Sequence, residues 1–214
     1  MFDFGTSPNL LSQHFTSTFV GDEVLTPNEK QAASRFSDKR LKDFSTGRHC
    51  ARKALGNLGC ENAEILIGDD KQPIWPPGYV GSISHSGKLA GAVVSHASKI
   101  KSVGLDIETI GKITPEMWEL LYTDKEKELL SSFIGEKLAH YTTLLFSFKE
   151  SFYKLQFPLT HTYLNFTDVE IRNCGNKFEL AVINGLYNKE PFFKPVQLYH
   201  IKQKNQVITL CYLA

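Results

Sequence analysis

The 214-residue chain has almost no charge imbalance: 24 Lys and Arg stand against 23 Asp and Glu, a formal net charge of +1. A protein drawn to a polyanion by its overall field carries a basic excess, so nucleic acid is not an expected partner and any anion site has to be built locally. Four cysteines, Cys50, Cys60, Cys174 and Cys211, make no CxxC pair and no zinc spacing. Buried free thiols are therefore expected in place of a disulfide framework or a structural metal. No stretch approaches the roughly 18 continuous apolar residues of a membrane span, and the start, MFDFGTSPNL, lacks the basic region and apolar run of a secretory signal. The expectation is a soluble, cytoplasmic, monomeric protein with no transmembrane segment.

What is present is the composition of a folded chain, 42% hydrophobic and 22% charged, long enough for one large domain or two of roughly 100 residues. Phe15–Val20 reads as a short strand. Thr26-Pro27-Asn28-Glu29 is a capping box with proline at the first helical position. The apolar spacing that follows predicts helices over 27–36 and 38–58. The second carries Arg40, Arg48 and Arg52 on roughly one face. Either each pairs with a nearby acid such as Asp43 or Glu61, or the three frame a phosphate, whose oxygens suit the planar guanidinium fork.

After a short strand at 65–67, residues 68–81 form a long connection rich in proline and glycine, a kind of segment that is usually functional or mobile. Lys71 lies in it, and Ser82-Ile83-Ser84-His85-Ser86 follows. Alternation sends the three serines one way and Ile83 with His85 the other, onto what reads as the apolar face. A buried imidazole needs a partner, and a phosphate would serve.

The polar bridge at 98–101 divides the chain into halves, 1–101 and 102–214. In the strand that opens the second half, SVGLDIETI, Val103, Leu105 and Ile107 alternate with Asp106 and Glu108. Two carboxylates on one strand face call for a cation, and hard oxygen donors suit Mg²⁺ or Mn²⁺; a solvated strand face is the alternative. Thr114-Pro115-Glu116 opens a short helix. Thr123-Asp124-Lys125-Glu126 is a second capping box, leading a helix to about residue 133. A longer helix, about 136–156 and ending before Pro158, contains FSFKESFYK. There Glu150 and Lys154 share a face and Lys149 sits about 100° round from Glu150. Four strands, at 167–172, 178–183, 196–202 and 207–213, close the chain as two hairpins, the first with its turn at 173–176. The whole reads as α+β, two halves of similar content.

The stretches KRLKDFSTGRHCARKAL, KQPIWPPGYVGSISHS, SVGLDIE, FSFKESFYK, and FPLT followed by FTDVEI together resemble the 4′-phosphopantetheinyl transferases of the surfactin type. The enterobactin synthase component D branch is the most similar, and the likeness runs over residues 38–168. It departs from the family pattern at Phe146, where many relatives have tryptophan, and at Asn165, where glycine is common.

The resemblance implies two pseudo-twofold-related α+β halves with coenzyme A and Mg²⁺ in the cleft between them. It also implies transfer of the phosphopantetheine arm to a serine of an apo acyl, peptidyl or aryl carrier protein, with release of 3′,5′-ADP. By family match Asp106, Glu108 and Glu150 hold the metal, Lys154 and His85 meet the pyrophosphate, and Ser84 and Lys149 contact phosphate. Arg40, Arg48 and Lys71 take the 3′-phosphate and adenosine side. Arg52 is as well suited to a structural pair. The proton of the carrier serine goes to Glu150, to Lys154 or to a water. Two rival readings are a non-catalytic module that binds coenzyme A or a carrier protein, and a Mg²⁺-dependent phosphotransferase acting on another nucleotide pyrophosphate.

Overall fold

The structure, a computed structural model, describes residues 2–4, 10–175, 177–183 and 196–214. In the first half a strand β1 (Ser12–Thr16) precedes helices α1 (Pro27–Ala32) and α2 (Asp38–Gly56), a two-residue hairpin β2 (Leu66–Ile67) and β3 (Pro73–Ile74), and a long hairpin β4 (Tyr79–Ser86) and β5 (Leu89–His96). β1 ends at Thr16, earlier than its apolar pattern suggests, because Thr16 Oγ1 accepts from the Thr18 amide at 3.0 Å and turns the chain. Thr26 caps α1 as read: its hydroxyl accepts from the Glu29 amide, and the Glu29 carboxylate takes the Thr26 amide at 3.0 Å. α1 stops at Ala32, short of 36, where Ser34 and Arg35 are exposed and offer no packing to hold another turn.

β1, β5 and β4 form an antiparallel sheet in that order, with Ser12 opposite Val94 and Ser86 opposite Leu89. α2 lies across it, burying Cys50, Ala51, Ala54 and Leu55 against Ala90, Ala92 and Val94. Small residues on both sides let helix and sheet approach closely; a Cβ on Gly47 would stand 2.8 Å from the Ile83 Cγ2.

The second half repeats the arrangement of one long helix on one three-stranded sheet. It runs β6 (Ser102–Thr109), α3 (Trp118–Leu121), α4 (Asp124–Ser131), α5 (Gly135–Thr160), β7 (Val169–Asn173), β8 (Phe178–Val182), β9 (Gln197–Gln203) and β10 (Gln206–Leu213). β6, β10 and β9 pair antiparallel in that order; β7 and β8 make a separate hairpin. Of the 173–176 turn, Asn176 lies outside the described residues. The α5 side chains Leu144, Leu145, Phe148, Phe152 and Leu155 share a core with Val207, Cys211 and Leu213. Thr123 and Glu126 form the reciprocal cap of α4.

Two further sequence expectations fail for local physical reasons. α5 runs through Pro158 to Thr160. The proline forfeits only the bond to the Lys154 carbonyl, and the last turn is held by the Phe157 ring against Tyr163 and by Gln156 bonding to Thr160 and to the Thr162 carbonyl. The faces of β4 are also the reverse of those read from its sequence. Ser82, Ser84 and Ser86 are buried, and His85 is 45% exposed.

The serines are buried because they join the two sheets. Ser82 Oγ accepts from the Leu105 amide at 2.9 Å, Ser84 Oγ accepts from the Ile107 amide at 3.1 Å, and Ser86 Oγ meets Thr109 Oγ1 at 3.1 Å. β4 and β6 thus run side by side in the same direction, with side-chain hydroxyls in the place of a backbone ladder. The β6 amides that would otherwise be stranded in the interior are satisfied by every second residue of β4.

Candidate active site in the cleft between the sheets

α2, the 67–75 connection and β4 on one side, and the end of α5 with residues 162–164 on the other, enclose a cavity of about 540 Å³. Phe36, Phe44, Ile67, Trp75 and Ile83 give it an apolar lining, with Arg40, Arg48, Lys71, His85 and Lys154 set among them. The Arg40 guanidinium carbon sits over the Phe36 ring and that of Arg48 over Phe44, each 4.1 Å from the ring centroid. These cation–π contacts hold two guanidinium groups at the wall.

The cations differ in how far they are committed. Arg48 is buried and donates to the Ile65 and Leu66 carbonyls at 2.9 and 3.3 Å. Burial pulls it down to about 10, with Glu29 opposing, so it stays charged at neutral pH. Arg52 does not line the cavity, and its Nη1 donates to both carboxylate oxygens of the fully buried Glu29 at 2.8 and 2.9 Å. The acid that pairs in this helix face is therefore Glu29, and neither Asp43 nor Glu61 is its partner. Lys71 sits at a left-handed backbone position, φ 67°, on the turn from Gly68 to Gln72.

Lys154 is the hinge of the site. From α5 its Nζ donates to Asp106 Oδ1 at 2.7 Å, to the Leu105 carbonyl at 3.1 Å and to Ser84 Oγ at 3.2 Å. Asp106 is buried and also accepts from Ser84 at 3.1 Å and Ser147 at 2.8 Å. The strand can lie this close to the helix because residue 104 is glycine, where a Cβ would fall 1.7 Å from the Ser151 carbonyl oxygen. Glu108, beside Lys112 and Ser86, and Glu150, one turn before Lys154, complete an acidic group next to the cavity. Burial pushes the Glu108 carboxyl above its usual range and Asp106 adds to the effect, while Lys112 and Lys154 oppose it. Glu150 is raised in the same way by burial, then by Asp106 and Glu108, against Lys154. These acids feel one another, although among the described residues no three His, Cys, Asp or Glu side chains form a ready cage for a metal ion.

Lys149 is not in the site. Its ammonium is fully buried and donates to Glu126 Oε2 at 2.6 Å and to the Leu121 and Phe166 carbonyls at 2.8 Å. A phosphate contact is incompatible with that position. One residue from Glu150, the helix has rotated the side chain toward α3 and α4. Ser84 is likewise turned to Asp106 and β6, and it meets the site through Lys154. Residues that the sequence did not assign to the site also line the cavity, among them Asp43, read only as a possible arginine partner, and Phe36, Phe44, Tyr153 and Tyr163. For the two phenylalanines a signal existed, since each lies four residues before an arginine on helical spacing.

A sequence model of the 4′-phosphopantetheinyl transferase N-terminal domain matches residues 28–95, and one of the 4′-phosphopantetheinyl transferase superfamily matches residues 102–211. The chain belongs to that superfamily. Curated relatives carry the same family name. The 4′-phosphopantetheinyl transferase Svp of Streptomyces mobaraensis is 37% identical over 149 residues, 69% of this chain and 61% of that protein. The 4′-phosphopantetheinyl transferase PptT of Mycobacterium tuberculosis is 38% identical over 145 residues, 68% of this chain and 63% of that protein. Enterobactin synthase component D of Escherichia coli K12 is 37% identical over 175 residues, 81% of this chain and 77% of that protein. The chain thus spans less than two thirds of the length of the first two transferases.

Proposed function

We propose that this chain transfers the 4′-phosphopantetheine arm of coenzyme A to a serine hydroxyl of an apo acyl, peptidyl or aryl carrier protein and releases 3′,5′-ADP. The observation that carries the reading is Lys154, whose ammonium ties an acidic group on one sheet to the floor of a cation-lined cleft on the other. In that reaction the serine oxygen attacks the β-phosphorus of the pyrophosphate, and the bond to 3′,5′-ADP breaks. Arg40 and Lys71 hold the 3′-phosphate and adenosine end, with Arg48 framing the wall. Lys154 and His85 face the pyrophosphate, where fixed positive charge is worth most as negative charge shifts to the leaving phosphate.

The donor set fits a divalent cation. Asp106, Glu108 and Glu150 offer hard carboxylate oxygens, and on Glu108 and Glu150 burial first, then the neighbouring acids, holds the carboxyl above its usual range. These three would hold Mg²⁺, or Mn²⁺ in its place, which when bound neutralises pyrophosphate oxygens. Glu150 takes the serine proton, its proton affinity raised by burial. Ser84 and Ser147 keep Asp106 oriented. We take residues 98–101 as the boundary between a nucleotide-holding half and a metal-holding half. The likeness to enterobactin synthase component D over 81% of the chain favours a carrier from siderophore or other nonribosomal peptide or polyketide synthesis, and coenzyme A as substrate accords with a cytoplasmic location. No helix among the described residues is long and apolar enough to cross a membrane.

The test is intact-mass analysis of apo fatty-acid, peptidyl and aryl carriers after incubation with the protein, coenzyme A and Mg²⁺. Gain of a phosphopantetheine mass on at least one carrier is expected. Binding of coenzyme A with no carrier modified would replace the proposal with a non-catalytic binding module.

A further inference from the structure

A cleft that takes a pyrophosphate has electrostatic reason to gather cations and none to keep acids, yet two carboxylates line it. Asp70 stands on the 67–75 connection and accepts a hydrogen bond from the Tyr163 hydroxyl at 3.4 Å. Asp43 lies on the α2 wall, one turn beyond Arg40, with only 19% of its side chain exposed. Its Oδ1 is 3.7 Å from His85 Nδ1, an ion-pair approach longer than a hydrogen bond. The approach is built into the packing of α2 on β4: Gly47, one turn on from Asp43, leaves room for Ile83, which precedes His85 by two residues.

We infer that Asp43 is the positioning residue for His85, holding the ring by Nδ1 so that Nε2 faces the cleft and donates to an anionic oxygen of the ligand. The inference rests on the pyrophosphate reading of the cleft. A neutral imidazole with its proton on Nδ1 presents only a lone pair at Nε2, which repels a phosphate oxygen. The imidazolium carries a proton on both nitrogens, so Nδ1 is held by the charge of Asp43 at 3.7 Å and Nε2 is free to donate to the ligand. In the ligand-free chain the net balance lowers the ring's proton affinity, and the anionic ligand favours the charged form. Four charged groups face His85: Asp43 and Lys39 from α2, Lys154 from α5 and Asp106 from β6. Burial acts most strongly and lowers the proton affinity of the ring; Asp43 is the leading influence that raises it, Asp106 adds a smaller one, and both lysines oppose. Asp106 is already engaged by Lys154, Ser84 and Ser147, which leaves Asp43 as the acid placed to set the ring.

Nitrogen-15 NMR of the ligand-free full chain reads the His85 titration and tautomer without any reaction, and a His85→Gln spectrum picks its signals out of the seven histidines. Asp43→Asn is expected to lower the His85 midpoint by about one pH unit, a roughly tenfold drop in the ratio of protonated to neutral ring, and to weaken the preference for a proton on Nδ1. Asp43→Glu is expected to restore most of both, and Asp43→Ser gives a second variant with the same expectation as the asparagine. In carrier modification the asparagine variant should lose about tenfold in kcat, most at alkaline pH, with the carrier KM unchanged. A folded Asp43→Asn or Asp43→Ser protein with unaltered His85 midpoint and tautomer overturns the assignment whatever its activity. A shifted midpoint in a protein that modifies no carrier upholds the Asp43–His85 coupling and sinks the transfer reading instead.

Discussion

Lys154 Nζ lies 2.7 Å from Asp106 Oδ1 and 3.2 Å from Ser84 Oγ, so one cation from α5 touches both strands that flank the seam between the sheets. Lys149, five residues earlier on the same helix, is sealed in the second half by Glu126 and two carbonyls. Two lysines of one motif therefore do different work, and substitutions separate them.

Lys154 is 31% exposed at its side chain while its partner Asp106 is only 4% exposed, so removing the lysine leaves a buried acid held by the hydroxyls of Ser84 and Ser147 alone. Lys154→Met is expected to cost about 1–3 kcal/mol of stability while slowing carrier modification at least about a hundredfold. Urea unfolding and the mass assay check the two halves of the statement.

Lys149→Met leaves Glu126, 1% exposed at its side chain, as an uncompensated buried acid. A loss of about 3–5 kcal/mol is expected, read from the urea midpoint. If Lys149 instead contacted phosphate, the variant would keep its stability and lose affinity for coenzyme A.

Ser82→Ala strands the Leu105 amide inside the seam. The expected cost is about 1–3 kcal/mol, together with faster hydrogen exchange at Leu105, since its acceptor at 2.9 Å is gone.

Glu150 carries the pH dependence. Burial, with Asp106 and Glu108, raises its carboxyl above the ordinary range against Lys154. The folded chain therefore binds this proton more tightly than the unfolded chain does. The stability this adds is fully present below the unfolded value of about 4.3 and is lost as pH rises through the raised folded value. Glu150→Gln removes that loss. In chelator the variant is expected to be more stable than the parent at neutral pH, and the difference should shrink on acidification toward about pH 4. Added Mg²⁺ should stabilise the parent more than the variant, and carrier modification by the variant should be lost. Thermal unfolding with and without Mg²⁺ across that range measures all but the last.

What the sequence made legible was local or strictly periodic. The caps at Thr26 and Thr123 are complete within four residues, and both form. The alternation in β6 sorts Val103, Leu105 and Ile107 into one core and turns Asp106 to α5. The motif FSFKESFYK gave the helical register of Glu150 and Lys154 but not the surroundings of Lys149, because Glu126 reads as a capping residue and its second role, as partner to a buried cation, is set by tertiary packing. The serines of β4 misled for a related reason. Alternation separates two faces but does not say which is buried, and here the hydroxyls are interior because the β6 amides need acceptors. Asp43 was read only as a partner for an arginine, since nothing in sequence spacing brings α2 up to His85.

The central claim is that the cleft between the sheets, with Lys154 at its seam, moves phosphopantetheine from coenzyme A to a carrier serine. The most direct measurement follows holo-carrier and 3′,5′-ADP together in single-turnover reactions of the parent protein and of Lys154→Met. The account predicts that the two products appear one for one, only when Mg²⁺ is present, and that both vanish in the variant while its fold is retained. Holo-carrier formed by Lys154→Met at the parent rate would contradict it.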